Sequence, residues 1–492
     1  MSEHPLDAIF HPRAIALVGV PANMQGRGAG FLEALLDQGF EERKPIYLVH
    51  PRATEIQGIR AYPTILDCPD PVDHVISLIP RTAVDTLVDQ CAQKGVRSLH
   101  FFTAGFSESG EAGMAEAERA LAARARAGGV RVLGPNCMGL YVPDERISFS
   151  NGFPTESGNV MMISQSGANA GNVVAGLAPR GLRFSKVVSF GNGSDIAAPE
   201  LFDYAASDPQ TEVVLSYIEG VRDGRAFFEA VRRCAAIKPT IILKGGFTAA
   251  GARAASSHTG SLAGSSQVFD ALCSQAGALR VDSLEEMYDM TVAITTKVRE
   301  ITGNRAILAG GGGGFSVLSA DAIARHGIEL PDLPEETQQD LRQWVPVAGN
   351  SVHNPIDAGF VGEDRAGVAN NVTAVAARAP GYDFVFASRS DFRMAPPSER
   401  NEEIDADAAA ARVERRLQRA VDSARFLANV QDESSRPVIA VRREYAPEPA
   451  GVFHVEAQRL GLGTFFSVPE AARAVELLLQ WRARREGLPT LF

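Results

Sequence analysis

Residues 14–30 read AIALVGVPANMQGRGAG: a short unbroken apolar run, a turn carrying Gly19, Gly26 and Gly28, and then the start of a helical segment, GFLEALLDQGF (30–40). An apolar run with no polar alternation suits a strand covered on both faces. A strand that passes through a glycine turn into a helix is the first half of a parallel crossover unit. The pattern recurs in PIYLVHP (45–51), HVISLIP (74–80), SLHFFTAG (98–105) and VRVLGPN (130–136). Together these predict a Rossmann-like α/β domain over residues 1–145.

The same grammar continues. NVMMISQSG (159–167), FSKVVSFG (184–191), EVVLSYIEG (212–220) and PTIILKGG (239–246) predict a second α/β domain, 146–298, closed by the amphipathic stretch VDSLEEMYDMTVAITTKV (281–298). A third unit, 299–492, is expected to begin near Gly303 and to contain strands YDFVFAS (382–388) and RPVIAV (436–441). The acidic, Ala/Arg-rich stretch 398–422 reads as a long solvated helix. A chain of 492 residues accords with about three domains.

Composition narrows the function classes. The formal charge is −11 with no basic run, which argues against a nucleic-acid surface. No apolar stretch approaches the ~20 residues that cross a bilayer, and no basic-then-apolar export segment opens the sequence, so a cytoplasmic protein without membrane partners is expected. Cys68, Cys91, Cys137, Cys234 and Cys273 are scattered, with no CxxC pair, and are expected to be reduced and buried. No residue set is expected to hold a metal.

Any phosphate must therefore be held locally. The turn after the first strand offers backbone N–H groups at a helix mouth, and VHPR places Arg52 where a NAD site carries an acid. An arginine there suits a ribose phosphate, as in NADP or coenzyme A, although a plain surface residue fits the position equally well. LGPNCMG (133–139) and ISQSGANAG (163–171) both leave a strand and are expected to enter helices through small residues, so each can aim amides at one anion. The simpler reading of each is a tight turn.

His258 sits in SSHTGSLAG (256–264), among hydroxyls and glycines that leave the ring open to chemistry. Glu219, in SYIEG, stands at the carboxyl end of an apolar strand, where open parallel sheets build ligand crevices. A carboxylate that accepts Nδ1–H fixes the imidazole tautomer and leaves Nε2 free to attack phosphorus. Spacing does not show whether the two residues meet.

LGPNCMG, ISQSGA, SDPQTEVVLSYIEGVRDGR, GARAASSHTGSLAGS, QAGALRVDSLEEM and NPID, in this order and separation, resemble the nucleoside-diphosphate-forming acyl-CoA synthetases. This superfamily includes the α subunit of succinyl-CoA synthetase and the ADP-forming acetyl-CoA synthetases. The likeness runs from about residue 10 to 360 and returns at FFSVPEAARAVELLLQW (465–481). It implies an α/β fold of three consecutive domains, the Rossmann-like one followed by two flavodoxin-like doubly wound ones.

By that resemblance His258 is phosphorylated during turnover and Glu219 orients it. Asn136, Cys137, Gly139, Ser164, Gln165, Ser166 and Gly167 cradle the phosphate. Coenzyme A would lie against Gly19, Gly26, Gly28, Arg52, Ile79, Pro80, Gly105 and Phe106. The chain carries neither a recognisable ATP-grasp domain nor a G-x-x-x-x-G-K-[ST] loop. ATP/ADP and Mg2+ are therefore expected only through an ATP-grasp β-type partner, with a carboxylic acid and coenzyme A as the other substrates. Three features depart from the family: the first glycine turn, GVPANMQGRG; the run GGGGGF; and the stretch 380–435. Two rival readings are a coenzyme A-binding regulatory or scaffold protein without turnover, and an NADP oxidoreductase that leaves SSHTGSLAG unexplained.

Overall fold

The computed structural model describes residues 4–26, 28–248, 250–251, 265–359, 365–389, 406–442 and 451–487. They form two compact units, one of Met1–Gly176 with Arg183–Leu284 and the other of Leu177–Leu182 with Glu285–Phe492.

The first unit contains two sheets. Its amino-terminal sheet consists of β1 (Ile15–Val18), β2 (Ile46–Val49), β3 (Glu55–Ile56), β4 (Ile59–Tyr62), β5 (His74–Ser77), β6 (Ser98–Phe101) and β7 (Arg131–Leu133). They lie in the order β3-β4-β2-β1-β5-β6-β7, and all pairs are parallel except β3 with β4. Without the small β3 this is the 3-2-1-4-5-6 order of a dinucleotide-binding fold, which reverses direction between β1 and β5. Strands β1, β5 and β6 are buried along their whole length, as unbroken apolar runs demand.

The second sheet consists of β8 (Gly139–Tyr141), β9 (Val160–Ser164), β10 (Phe184–Ser189), β11 (Val213–Ile218), β12 (Thr240–Lys244) and β13 (Leu279–Val281). Its order is β13-β12-β11-β9-β10-β8, parallel except where β8 closes antiparallel on β10. Counting from β9, this is the flavodoxin-like 2-1-3-4-5 arrangement, with its reversal between β9 and β11.

In the second unit β14 (Ala306–Ala309), β15 (Phe384–Arg389), β16 (Val438–Arg442) and β17 (Gly463–Phe465) form a parallel sheet in sequence order. Single parallel bridges, Arg305 to Glu329 and Ala309 to Ile356, add to the β14 strand region. The long helix spans Ala406–Ser434, twelve residues beyond the end expected from the sequence, because apolar positions such as Ala424, Leu427 and Ala428 continue its buried face; residues 398–405 of the expected helix lie outside the described residues. All five cysteines are buried and unpaired.

Candidate active site

In open parallel sheets, ligand crevices form beyond the carboxyl ends of the strands where the strand order reverses. Both sheets of the first unit place candidate residues at that point.

Beyond β1, Gly19 adopts φ +92°, and a Cβ there would lie 2.7 Å from Cγ2 of Ile79, which follows β5. Any side chain at Gly19 would therefore fill the crevice. Gly28, at the mouth of helix Ala29–Asp37, leaves room for Pro21, whose Cδ would lie 3.3 Å from an added Cβ. Gly26 has φ +86° and open space around it. Pro80 leads into the short turn Arg81–Ala83. Arg52 is exposed beyond β2, with its backbone N–H donating to His50 Nδ1 at 3.1 Å. Gly105 (φ +97°) and buried Phe106 follow β6. Their N–H groups donate to the carboxylate of Glu108, at 2.5 Å from Gly105 and 3.2 Å from Phe106.

Sequence reasoning passed over Arg81, one residue beyond SLIP. Its Nε would lie 3.8 Å from a Cβ at Gly105, its guanidinium donates to the Met114 thioether, and it has no carboxylate partner among the described residues. A half-buried cation with so poor an acceptor, at the mouth of this crevice, is suited to an anionic ligand.

At the second reversal, the strand end of β9 is joined to that of β11. The N–H of Gln165 donates to the Tyr217 carbonyl at 2.9 Å, and its Oε1 accepts the N–H groups of Glu219 at 2.8 Å and Gly220 at 3.1 Å. Ser164 Oγ donates to the Ser166 carbonyl at 2.6 Å, and Ser166 Oγ accepts the Asn169 N–H at 3.3 Å. These bonds shape the entry to helix Gly167–Leu177, whose first turn carries the partial positive charge of its dipole.

Tyr217 hydrogen-bonds to the Glu219 carboxylate and the Asn169 side chain; burial, then the Glu219 charge, push its phenol up to about 12. Lys244, at the end of β12, is buried and donates to the carbonyls of Glu219 at 2.6 Å and Gly245 at 2.5 Å. Burial lowers its pKa, opposed by the Glu219 charge. Lys244 was another residue the sequence reading missed, because a lysine closing an apolar strand resembles any solvated strand end. His258 lies outside the described residues; its segment leaves from beyond β12 and returns before helix Ser266–Ala276.

One expectation is corrected. The turn PNCMG leads into a strand, β8, rather than a helix, because Gly139–Tyr141 pairs with β10. Its amides are largely committed: Asn136 N–H to the Thr103 carbonyl at 3.0 Å, and Met138 N–H to Ser189 Oγ at 3.1 Å. The turn nevertheless meets the other candidate segment, since a Cβ on Gly167 would lie 2.4 Å from Met138 Cγ. Asn136 takes a left-handed φ of +56°, and Gly139 (φ +85°) lies against the His100 ring. His100 Nε2 donates to the Cys137 carbonyl at 3.0 Å, and burial pushes the Cys137 thiol up. The structure thus brings Ser164–Gly167, Glu219 and Met138 together, with Asn136, Cys137 and Gly139 forming a supporting turn behind them.

A relative from Pyrococcus furiosus, the α subunit of ADP-forming acetate–CoA ligase II, is 36% identical over 362 residues, 73% of this chain and 78% of that one. The chain belongs to the ADP-forming acid–CoA ligase family. Within this family of acid–thiol ligases, the profile described as a CoA binding domain matches residues 13–143, and that of a succinyl-CoA ligase like flavodoxin domain matches 157–294. ADP-forming acetate–CoA ligase I of Archaeoglobus fulgidus is 36% identical over 354 residues, which cover 72% of this chain and 50% of that longer protein. Among solved structures, the Ca. Korarchaeum cryptofilum dinucleotide forming acetyl-coenzyme A synthetase 1, in complex with phosphate and ADP, aligns over 98% of this chain and 97% of its own. Its TM-score is 0.77 at 30% identity. No described helix is long and apolar enough to cross a membrane.

Proposed function

We propose that this chain is the α-type part of an ADP-forming carboxylate–CoA ligase, converting a free acid, coenzyme A and ATP reversibly into acyl-CoA, ADP and phosphate. The observation that carries the reading is the hydrogen bond that the Glu219 N–H donates to Gln165 Oε1 across the β9–β11 reversal. It ties the backbone of Glu219 to the turn that enters helix Gly167–Leu177, next to the strand that precedes the His258 segment in the chain.

In this reading Nε2 of His258 attacks the terminal phosphorus of ATP and ADP leaves. Glu219 accepts Nδ1–H and stabilises the charge that the ring acquires. The helix beginning at Gly167 receives the phosphoryl oxygens, with Ser164, Gln165 and Ser166 shaping its entry. The phosphoryl group then passes to the carboxylate of the acid, giving an acyl phosphate and restoring the imidazole. The coenzyme A thiolate attacks the acyl carbon and phosphate departs. The first sheet holds coenzyme A in the crevice between Gly19 and Ile79, with Arg52 and Arg81 as its cations.

ATP is handled by an ATP-grasp β-type polypeptide, which is also where Mg2+ would be bound. The Pyrococcus relative is named as an α subunit, which supports a separate partner. Calorimetric titration of coenzyme A into the chain, and thioester synthesis with and without an ATP-grasp partner, test the reading together. Coenzyme A binding with partner-dependent synthesis supports it; strong ATP-driven synthesis by the chain alone contradicts the division of labour.

A further inference from the structure

The loop after β6 and the loop after β11 meet at a polar junction around one buried carboxylate. Glu118, on helix Met114–Ala127, is 1% exposed. Its Oε2 accepts the Ser107 N–H at 3.1 Å and the Ser107 hydroxyl at 2.5 Å. Its Oε1 accepts Arg222 Nη2 at 2.7 Å. Arg222, whose side chain is 53% exposed, stands three residues beyond Glu219 in the loop after β11 of the second sheet. Asn192, which follows β10 on that same sheet, places Nδ2 2.6 Å from Glu108 Oε2 and 2.8 Å from Glu118 Oε2. Its backbone N–H reaches the Pro135 carbonyl at 3.0 Å, in the turn before β8.

Burial opposes ionisation of Glu118, but hydrogen bonds from Ser107, Arg222 and Asn192 hold its carboxyl below the usual carboxylate range. A surface arginine adds little to stability through such a pair. Here two carboxylates share one amide group, and Asn192 Oδ1 is buried with no partner among the described residues. What the arrangement does accomplish is geometric. The N–H groups of Gly105, Phe106 and Ser107 are aimed at Glu108 and Glu118, which in turn hold Asn192 and Arg222 from the loops around the second crevice.

We propose that Glu118 and Arg222 are a positioning pair that couples the coenzyme-binding loop of the first sheet to the Glu219 loop of the second. The proposal rests on the coenzyme A reading of the first sheet. When coenzyme A settles against Gly105 and Phe106, Ser107 and Glu118 carry that placement to Arg222 and so to the chain bearing Glu219. Neither Glu118 nor Arg222 touches the reacting atoms.

A double-mutant cycle on coenzyme A binding tests this. The dissociation constant is measured by calorimetry on the full chain for wild type, Arg222→Met, Glu118→Gln and the double variant, with thermal melts to check folding. Arg222→Met is expected to weaken coenzyme A at least threefold although Arg222 belongs to the other sheet, and Arg222→Lys to recover most of the loss. Glu118→Gln should weaken binding at least as much, and the double variant no more than the worse single one. A wild-type chain that binds while Arg222→Met binds equally well overturns the coupling, as do losses that multiply in the double variant. A wild-type chain that does not bind coenzyme A overturns the reading of the first sheet and the coupling with it.

Discussion

Gln165 holds Glu219 by the backbone: its Oε1 accepts the Glu219 N–H at 2.8 Å, and the Gly220 N–H shares the same oxygen. In the proposed reading, the residue that opens the phosphate-binding turn therefore also holds the backbone of the residue that would orient His258. Gln165→Leu removes an acceptor from two amides at once and should cost about 1–3 kcal/mol of stability. Gln165→Glu keeps an acceptor but adds charge beside Glu219. Both variants should slow phosphorylation of the chain by its ATP-grasp partner, and only Gln165→Leu should lower the urea midpoint strongly. Phosphorylation at the wild-type rate in either variant would separate Gln165 from the chemistry.

In the proposed reading Arg52 and Arg81 meet different parts of coenzyme A. A charge-assisted contact is worth roughly 1.5–3 kcal/mol, so Arg52→Ala should weaken coenzyme A by about one to two powers of ten. Dephospho-coenzyme A should be much less affected if Arg52 meets the 3′-phosphate. Arg81→Ala should weaken both ligands alike, because its place over Gly105 is on the far side of β1 from Arg52. Parallel titrations of the two ligands decide; equal losses from Arg52→Ala for both would move the 3′-phosphate elsewhere.

The acid response follows from two buried histidines. Burial, helped by the neighbouring His100 ring, lowers His74 from 6.5 to about 3, and burial lowers His100 to about 4. The folded chain keeps both neutral while the unfolded chain protonates them near pH 6.5. Their contribution to stability is present above that pH and is lost as pH falls toward 4, by up to ~1.4 kcal/mol per pH unit for each. Asp289 in the second unit works oppositely: burial raises it to about 6 despite Arg180, so its contribution is present below its ordinary carboxylate range and is lost as pH rises through about 6. Melts between pH 7 and 4.5 should show stability falling with acid, and His74→Leu combined with Ser98→Ala should flatten part of the fall. A wild-type melting temperature unchanged over that range would contradict the assignment.

The parallel strands were legible because burial on both faces writes itself as continuous apolar runs, as in AIALV and VVLSYI. Strand β8 was not: three residues carry no period, and its pairing is with β10, almost fifty residues on. The reversals of strand order were equally hidden, since order is a property of the folded sheet. Gly19 could be read as a turn, but its approach to Ile79 could not. His74 and His100 disappeared into apolar strands, and Glu118, within MAEAERALAARARA, is indistinguishable by pattern from the solvated charges around it. What chemistry wrote locally, the glycine turns and SYIEG, was readable; what depends on two loops meeting, such as Gln165 with Glu219, was not.

The most direct test of the central claim is phosphate labelling of His258. The chain is incubated with its ATP-grasp partner and terminally labelled ATP, and the modified residue is mapped. The account predicts a base-stable, acid-labile label on His258 that discharges when a substrate acid and coenzyme A are added. It also predicts no label in His258→Ala, with coenzyme A binding retained, and slower labelling in Glu219→Gln. An unlabelled wild-type chain in a complex that still makes thioester, or full activity in His258→Ala, would contradict it.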